Sequence, residues 1–392
     1  MSTASITPQS PSIRSSERER EDMRRLFVGL ICVLIGVGVQ MVHSASLSLL
    51  PGQSEIVFLG RHLTFLAFSV ICGFVASHIP SSFLKANAEN FCIALVCLLV
   101  AVLIPGIGTR VNGAQRWLRF GGVSLQPSEL GRIILPILAA KTLVNIRSTR
   151  GFSLRTIPKT LFPLVIVLPL VAKEPDLGAT VFLATGYGLV LFLGGWPMRY
   201  FVGCGVLMLP AGFSLLALKS YQMKRITGFM AAWQDLSQAP WQIRQSLMSL
   251  GSGGLEGTGV GGGWQKLSYL PEANTDFVFA VIGEELGLAG TLGVIFVWLG
   301  VFLTGRAVMR PLPRLSFEWI LGSTLVIQIV LQALANVAVV TAMVPPKGVP
   351  HPFISYGGTN LLVNTVAVGI VVGLSRGARP AGEQLPLESG DN

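Results

Sequence analysis

The sequence predicts an all-α integral membrane protein of about ten transmembrane helices, with one large extracytoplasmic loop between the seventh and the eighth. Three observations carry that expectation. Only 12% of the 392 residues are charged and 51% are hydrophobic, whereas a soluble domain devotes about a quarter of its residues to charge. The apolar residues come in repeated runs long enough to cross a bilayer, which takes about 20 residues each as helix. The basic residues gather on one side of those runs.

In order, the runs fall at about 26–50, 62–79, 90–107, 126–145, 160–173, 176–195, 199–218, 275–303, 317–343 and 357–375. With the N-terminus inside, the cytoplasmic segments hold Arg14 to Arg25, Lys85, Lys141 to Lys159, Arg199, Arg306 to Arg314, Arg376 and Arg379, which is 17 of the 29 Lys and Arg. This follows the positive-inside rule and puts both termini in the cytoplasm. The net charge of +10 thus orients the chain in a bacterial inner membrane and gives no reason to expect a nucleic-acid partner. The first apolar run follows some 24 polar residues and is too long for a signal-peptide core, so it reads as a retained helix.

Three parts follow. Residues 1–23, rich in Ser, Thr and alternating charge, read as a disordered cytoplasmic tail. Residues 24–378 form the membrane domain, and 379–392 a second cytoplasmic tail. Within the domain, 219–274 is the one long loop; Trp233, Trp241, Trp264 and a glycine-dense run from Gly251 to Gly263 mark it as a folded segment near the interface. Those glycines lack a GxxxxGK[ST] pattern, so they do not indicate a nucleotide site. All five cysteines lie in apolar runs, which points neither to disulfides nor to zinc. No internal repeat of the kind common in secondary transporters is visible.

The chemistry-bearing residues are ionisable groups at or near membrane depth, where each charge costs on the order of 2.5–3.5 kcal/mol and is paired or functional. Arg61 opens the second run. Arg116 and Trp117 lie in an external loop after the third, and the next helix begins Gln126-Pro127-Ser128-Glu129. Glu129 and Arg132, at i and i+3, share a helix face and can pair. Lys173, Glu174 and Asp176 flank Pro175. Asp276 starts the eighth run; a helix start also favours Asp as a plain N-cap, and spacing alone does not separate the two roles. Gln328, Gln332 and Asn336 form one polar stripe, read as interhelical hydrogen bonding. Placement yields an outward-facing cavity of mixed sign and no reaction.

The same segments resemble the FtsW/RodA/SpoVE family over residues 25–376. The resemblance lies in Val111–Trp117 with Gln126–Glu129, Pro175-Asp176-Leu177-Gly178, Ser246–Gly254, Gln265-Lys266-Leu267 with Tyr269–Phe279, Gly283–Gly287, and Pro352–Gly358. It implies ten spans and the polymerisation of lipid II, an undecaprenyl-diphosphate disaccharide-pentapeptide, into peptidoglycan strands. It also implies a class B penicillin-binding protein as crosslinking partner, among other divisome or elongasome membrane proteins. By the resemblance Asp276 is the essential carboxylate, Glu129 and Arg132 the functional acid–base pair, and Arg61, Arg116, Trp117, Asp176, Lys266 and Ser355 cavity positions. Glu272 stands beside them as a further carboxylate.

Pro345-Pro346-Lys347-Gly348 looks more like the division branch than the elongation branch. Departures surround the site: Arg132 stands where lysine is usual, Glu174 where glutamine is common, and Asn274 in place of a common histidine. The implied chemistry is a single displacement. Asp276 acts as general base on the acceptor hydroxyl, and Arg61, Arg116 and Lys266 contact the departing diphosphate. A divalent cation (Mg or Mn) would suit that leaving group, but no ligand cluster of fixed spacing provides for one. Two other classes remain: a lipid II flippase or transporter, and a scaffold that recruits a transpeptidase without turnover.

Overall fold

The computed structural model describes residues 11–46, 55–111, 113–120, 123–149, 151–206, 227–230, 233, 235–264, 266 and 270–377. Its helices are α1 (Pro11–Ser46), α2 (Glu55–Ala76), α3 (Ser81–Ala86), α4 (Ala88–Leu103), α5 (Pro127–Thr149), α6 (Ile157–Lys173), α7 (Leu177–Leu193), α8 (Trp241–Ser252), α9 (Val278–Met309), α10 (Phe317–Val340) and α11 (Gly358–Arg376). Among the described residues six helical stretches are long and apolar enough to cross a membrane, and α4 and α7 are shorter apolar helices. The chain is a multi-pass membrane protein. The seventh expected run is helical over 198–206, and its remainder lies outside the described residues, as do the tail 379–392 and residues 1–10.

Helices α10 and α11 form the centre. Their apolar windows are 61% and 72% buried, against 22–33% for the other four spanning stretches. The most extensive helix contact is α2 on α11, followed by α1 on α9. Small residues let α2 and α11 approach: a Cβ on Gly369 would lie 2.1 Å from the Gly73 carbonyl oxygen, and one on Gly373 2.8 Å from that of Ser77. Lipid tails supply no hydrophobic drive between helices, so close backbone packing of this kind holds them together.

Two features add to the helices read from the sequence. The tail 1–23 was expected to be disordered, yet α1 is helical from Pro11. A helix already nucleated by its apolar part extends cheaply through a charged segment, and Glu21 and Arg25 pair at i, i+4 within it, 2.5 Å apart. The external loop after α4 is a three-stranded antiparallel sheet, β1 (Gly108–Val111), β2 (Ala114–Phe120) and β3 (Val123–Leu125), set on an otherwise helical fold. Val111 pairs with Ala114 across a two-residue turn in which Gly113 takes φ +79°. Along β2, Ala114 and Leu118 are buried, and by the strand's period of two Arg116 shares their inward face.

Of the long loop, residues 227–230, 233, 235–264, 266 and 270–274 are described. It contains α8, and its glycines close onto a break in α9. Gly287 sits at φ 64°, ψ −162° inside that helix, a conformation essentially reserved to glycine. The interrupted ladder is completed by the loop: the Thr258 and Gly259 amides donate to the Glu284 and Glu285 carbonyls at 2.9 and 3.0 Å, and the Leu288 amide to that of Gly254 at 2.9 Å. Backbone groups freed at membrane depth must be satisfied by protein in this way. No side chain fits between the two segments, because a Cβ on Gly257 would lie 2.2 Å from the Glu285 carbonyl oxygen.

Candidate active site

Asp276 occupies the last turn before α9, outside the spanning helix. The helix cap is Phe277, and no side chain caps it, so the Asp276 carboxyl is not spent on the N-terminal amides. Glu272, at φ 57°, bends the chain, and its carbonyl accepts from the Thr275 and Phe277 amides at 3.1 and 3.2 Å. Three outside contacts fix the turn. Asn336 Nδ2 of α10 donates to the Asp276 carbonyl at 2.6 Å. The Ser355 hydroxyl donates to the Thr275 carbonyl, and the Tyr356 amide to that of Asn274 at 2.8 Å. Gly348 closes against the carboxyl itself: a Cβ there would lie 2.7 Å from Asp276 Oδ2.

The charged neighbours of that carboxyl are Glu272, Asp176, Arg116 and Glu129. Burial first, then the like charges of Glu272 and Asp176, push it up to about 7, against the pull of Arg116. A carboxyl poised there is half ionised near neutral pH, as a general base requires.

Asp176 is the residue that does cap a helix. Its Oδ1 accepts from the Ala179 amide at 2.9 Å at the start of α7, while Oδ2 accepts from Arg116 Nη1 and Gln126 Nε2, each at 3.1 Å. The inward face of β2 thus delivers Arg116 to the acidic group. Glu129, in the first turn of α5, receives a 3.2 Å hydrogen bond from Asn360 Nδ2. It does not touch Arg132. The pair expected from i, i+3 spacing is opened because amide oxygens on α10 and α11 take the guanidinium: Arg132 Nη2 donates to Gln332 Oε1, and to Asn364 Oδ1 at 3.1 Å. Gln332 of the α10 stripe therefore ties α5 to α11, and it also holds the Pro350 carbonyl at 2.8 Å.

Of the sequence-predicted residues, Asp276, Glu272, Asp176, Arg116, Glu129 and Ser355 come together, and Arg132 stands directly behind them. Lys266 does not join them. Its ammonium is buried against Glu285 Oε1 at 2.5 Å and Ser44 Oγ at 2.8 Å, with 1% and 0% of the Lys266 and Glu285 side chains exposed. An isolated charge at that depth would be prohibitive, so the two neutralise one another. Arg61 is exposed on α2, its charge acting on Tyr356. Trp117, on the face of β2 away from Arg116, pairs by backbone with Thr109.

Two further residues stand near Asp176. Lys347, the neighbour of Gly348, is half-buried and acts on Asp176; burial holds its ammonium below the usual lysine range. Its signal was in view as the one lysine in the loop before the last span, read only as a mark of branch. Glu174 is wholly buried, and neither of its carboxylate oxygens has a hydrogen-bond partner. Burial, then the Asp176 charge, pushes it up to about 8, against Arg116. Among the described residues no three His, Cys, Asp or Glu side chains converge as a metal-ligand set. Asp276, Glu272 and Asp176 therefore do not by themselves make a cation cage.

The family model described as "Cell cycle protein" (FtsW/RodA/SpoVE) matches residues 24–379, and the chain belongs to that family. A probable peptidoglycan glycosyltransferase FtsW from Hahella chejuensis is 38% identical over 92% of this chain and 92% of its own. One of the same description from Trichlorobacter lovleyi is 36% identical over 90% of this chain and 93% of its own. In fold the chain is similar to a component of a peptidoglycan synthase complex described for coordination of polymerization and crosslinking, with TM-score 0.71, 24% identity, and 89% and 96% of the two chains covered. It is likewise similar to Thermus thermophilus rod shape determining protein RodA, with TM-score 0.65, 24% identity, and 90% and 96% covered.

Proposed function

We propose that the chain is a peptidoglycan glycosyltransferase that polymerises lipid II at the outer face of the cytoplasmic membrane, in septal wall synthesis, with Asp276 as general base. The observation that carries this reading is a carboxyl pushed up to about 7 and not used as a cap, on a turn held by three contacts to its backbone carbonyls, beside the Arg116–Asp176 pair on which Lys347 also acts. The relatives' names supply the substrate class.

Asp276 takes the proton of the acceptor sugar's 4-hydroxyl. That oxygen attacks the anomeric carbon of the growing chain, a C–O bond forms with inversion, and the bond to undecaprenyl diphosphate breaks with its electron pair on the leaving group. Arg116 and Lys347 are the cations placed for that charge; Lys266 serves the fold. Both termini are cytoplasmic, in keeping with the basic cluster at the end of α5 away from Asp276. A class B penicillin-binding protein is the expected partner.

The test is polymer formation from labelled lipid II by the purified chain with its transpeptidase. Asp276→Asn and Asp276→Ala should fold and make no polymer. Near wild-type polymer from either removes the base. Translocation of lipid II without polymer by the wild type would favour a flippase.

A further inference from the structure

A cavity of about 770 Å³ opens at the far end of α5 from Glu129. From Glu129 to Thr149, which lines the cavity, the helix advances 149 − 129 = 20 residues, about 30 Å at 1.5 Å per residue, so this cavity meets the opposite leaflet from the Asp276 site. Arg155, Lys159 and Arg199 line it, and no acidic side chain does. Among the described residues none of the three has an ion-pair partner. The acid whose charge reaches Lys159 is Glu89, and Lys141 already pairs with it. Arg199 is braced in place: its guanidinium lies over the Tyr200 ring, 4.9 Å from the centroid, and Nη2 donates to the Tyr200 hydroxyl at 3.3 Å.

The wall below is apolar and faces outward. Leu154 beside Arg155 is 71% exposed, and Phe162 and Val165, on the helix that carries Lys159, are 64% and 62% exposed. Arg155, Lys159 and Phe162 follow at i, i+4 and i+7, so cations give way to an apolar stripe along one face. The stripe is lipid-facing surface of a spanning helix, so a headgroup on the cations would have its acyl chains where bilayer tails already run. Basic pockets between membrane helices are suited to anionic headgroups.

We propose that this cavity is a binding site for an anionic phospholipid, its headgroup phosphate held by Arg155, Lys159 and Arg199 and its acyl chains lying along Phe162 and Val165. The site is independent of the chemistry at Asp276. The full chain is reconstituted in nanodiscs of phosphatidylcholine doped with phosphatidylglycerol, and retained lipid is read by native mass spectrometry. Wild type should keep phosphatidylglycerol selectively, and increasingly so at low salt. The triple variant R155Q/K159Q/R199Q should lose that selectivity, by roughly five-fold per cation and on the order of a hundred-fold in all. The charge-keeping R155K/R199K should retain it, which separates binding from folding. Equal retention by the triple variant, or no preference over phosphatidylcholine in the wild type, overturns the proposal. Displacement of phosphatidylglycerol by millimolar inorganic phosphate overturns the lipid assignment in favour of a free-phosphate site.

Discussion

The titration of Asp276 is open to a quantitative test. An ordinary aspartate, near 3.9, is fully ionised at both pH 6 and pH 8, so a base of that kind would give a flat rate between them. With its carboxyl raised to about 7, Asp276 is ionised in roughly one molecule in eleven at pH 6 and ten in eleven at pH 8, by the definition of the pKa. Polymer formation from labelled lipid II at subsaturating substrate should therefore rise about ten-fold across that window. The neighbours set the direction of two further shifts. Glu272→Gln removes a like charge and should move the midpoint to lower pH, while Arg116→Gln removes an opposing cation and should move it higher. A rate that is flat from pH 6 to pH 8 with the chain folded would refute the reasoning. So would two neighbour variants that move the midpoint the same way.

Four other outcomes are expected. Lys266→Met strands the buried Glu285 charge and should cost about 3–5 kcal/mol of stability, most of it recovered in the Lys266→Met/Glu285→Gln double variant; denaturation in detergent reads both. Lys347→Gln should raise KM for lipid II about ten-fold or more with a smaller change in kcat, and no change in thermal stability. Glu174 binds a proton more tightly folded, near pH 8, than unfolded, near 4.5, so stability should fall as pH rises between those values. A Tm profile should show this slope in the wild type and lose it in Glu174→Gln. Gly287→Ala should destabilise by more than about 2 kcal/mol, since it combines a left-handed φ with a Cβ 2.5 Å from the Gly257 amide nitrogen.

Helices were legible because bilayer-length apolar runs and basic flanks are strong, local signals. The hairpin at 108–125 carries its own signature in Asn112-Gly113 between alternating residues, but its strands are short beside the bilayer-length runs on either side. Charge placement put Asp176, Arg116 and Asp276 on one external cavity, and in the structure Arg116 pairs with Asp176 beside Asp276. Lys266 was put in the cavity by the resemblance alone, and one sequence cannot tell a lysine facing a cavity from one facing Glu285, 19 positions on. The Glu129–Arg132 pair shows the same limit: helix periodicity puts the two on one face, but Gln332 and Asn364 come from 200 and 232 residues away. Glu174 could be noted as unusual, but that it has no partner is a property of packing alone.

The interleaving of residues 253–259 with the broken turn at Gly287 has a practical corollary for hybrid proteins. Outer loop and helix are written in one shared register, so a graft that swaps the loop for a relative's and stops at the helix boundary mismatches donors and acceptors. The transferable unit runs through Ala289, whose amide reaches the Leu255 carbonyl at 3.3 Å, and it carries the Asp276 turn with it.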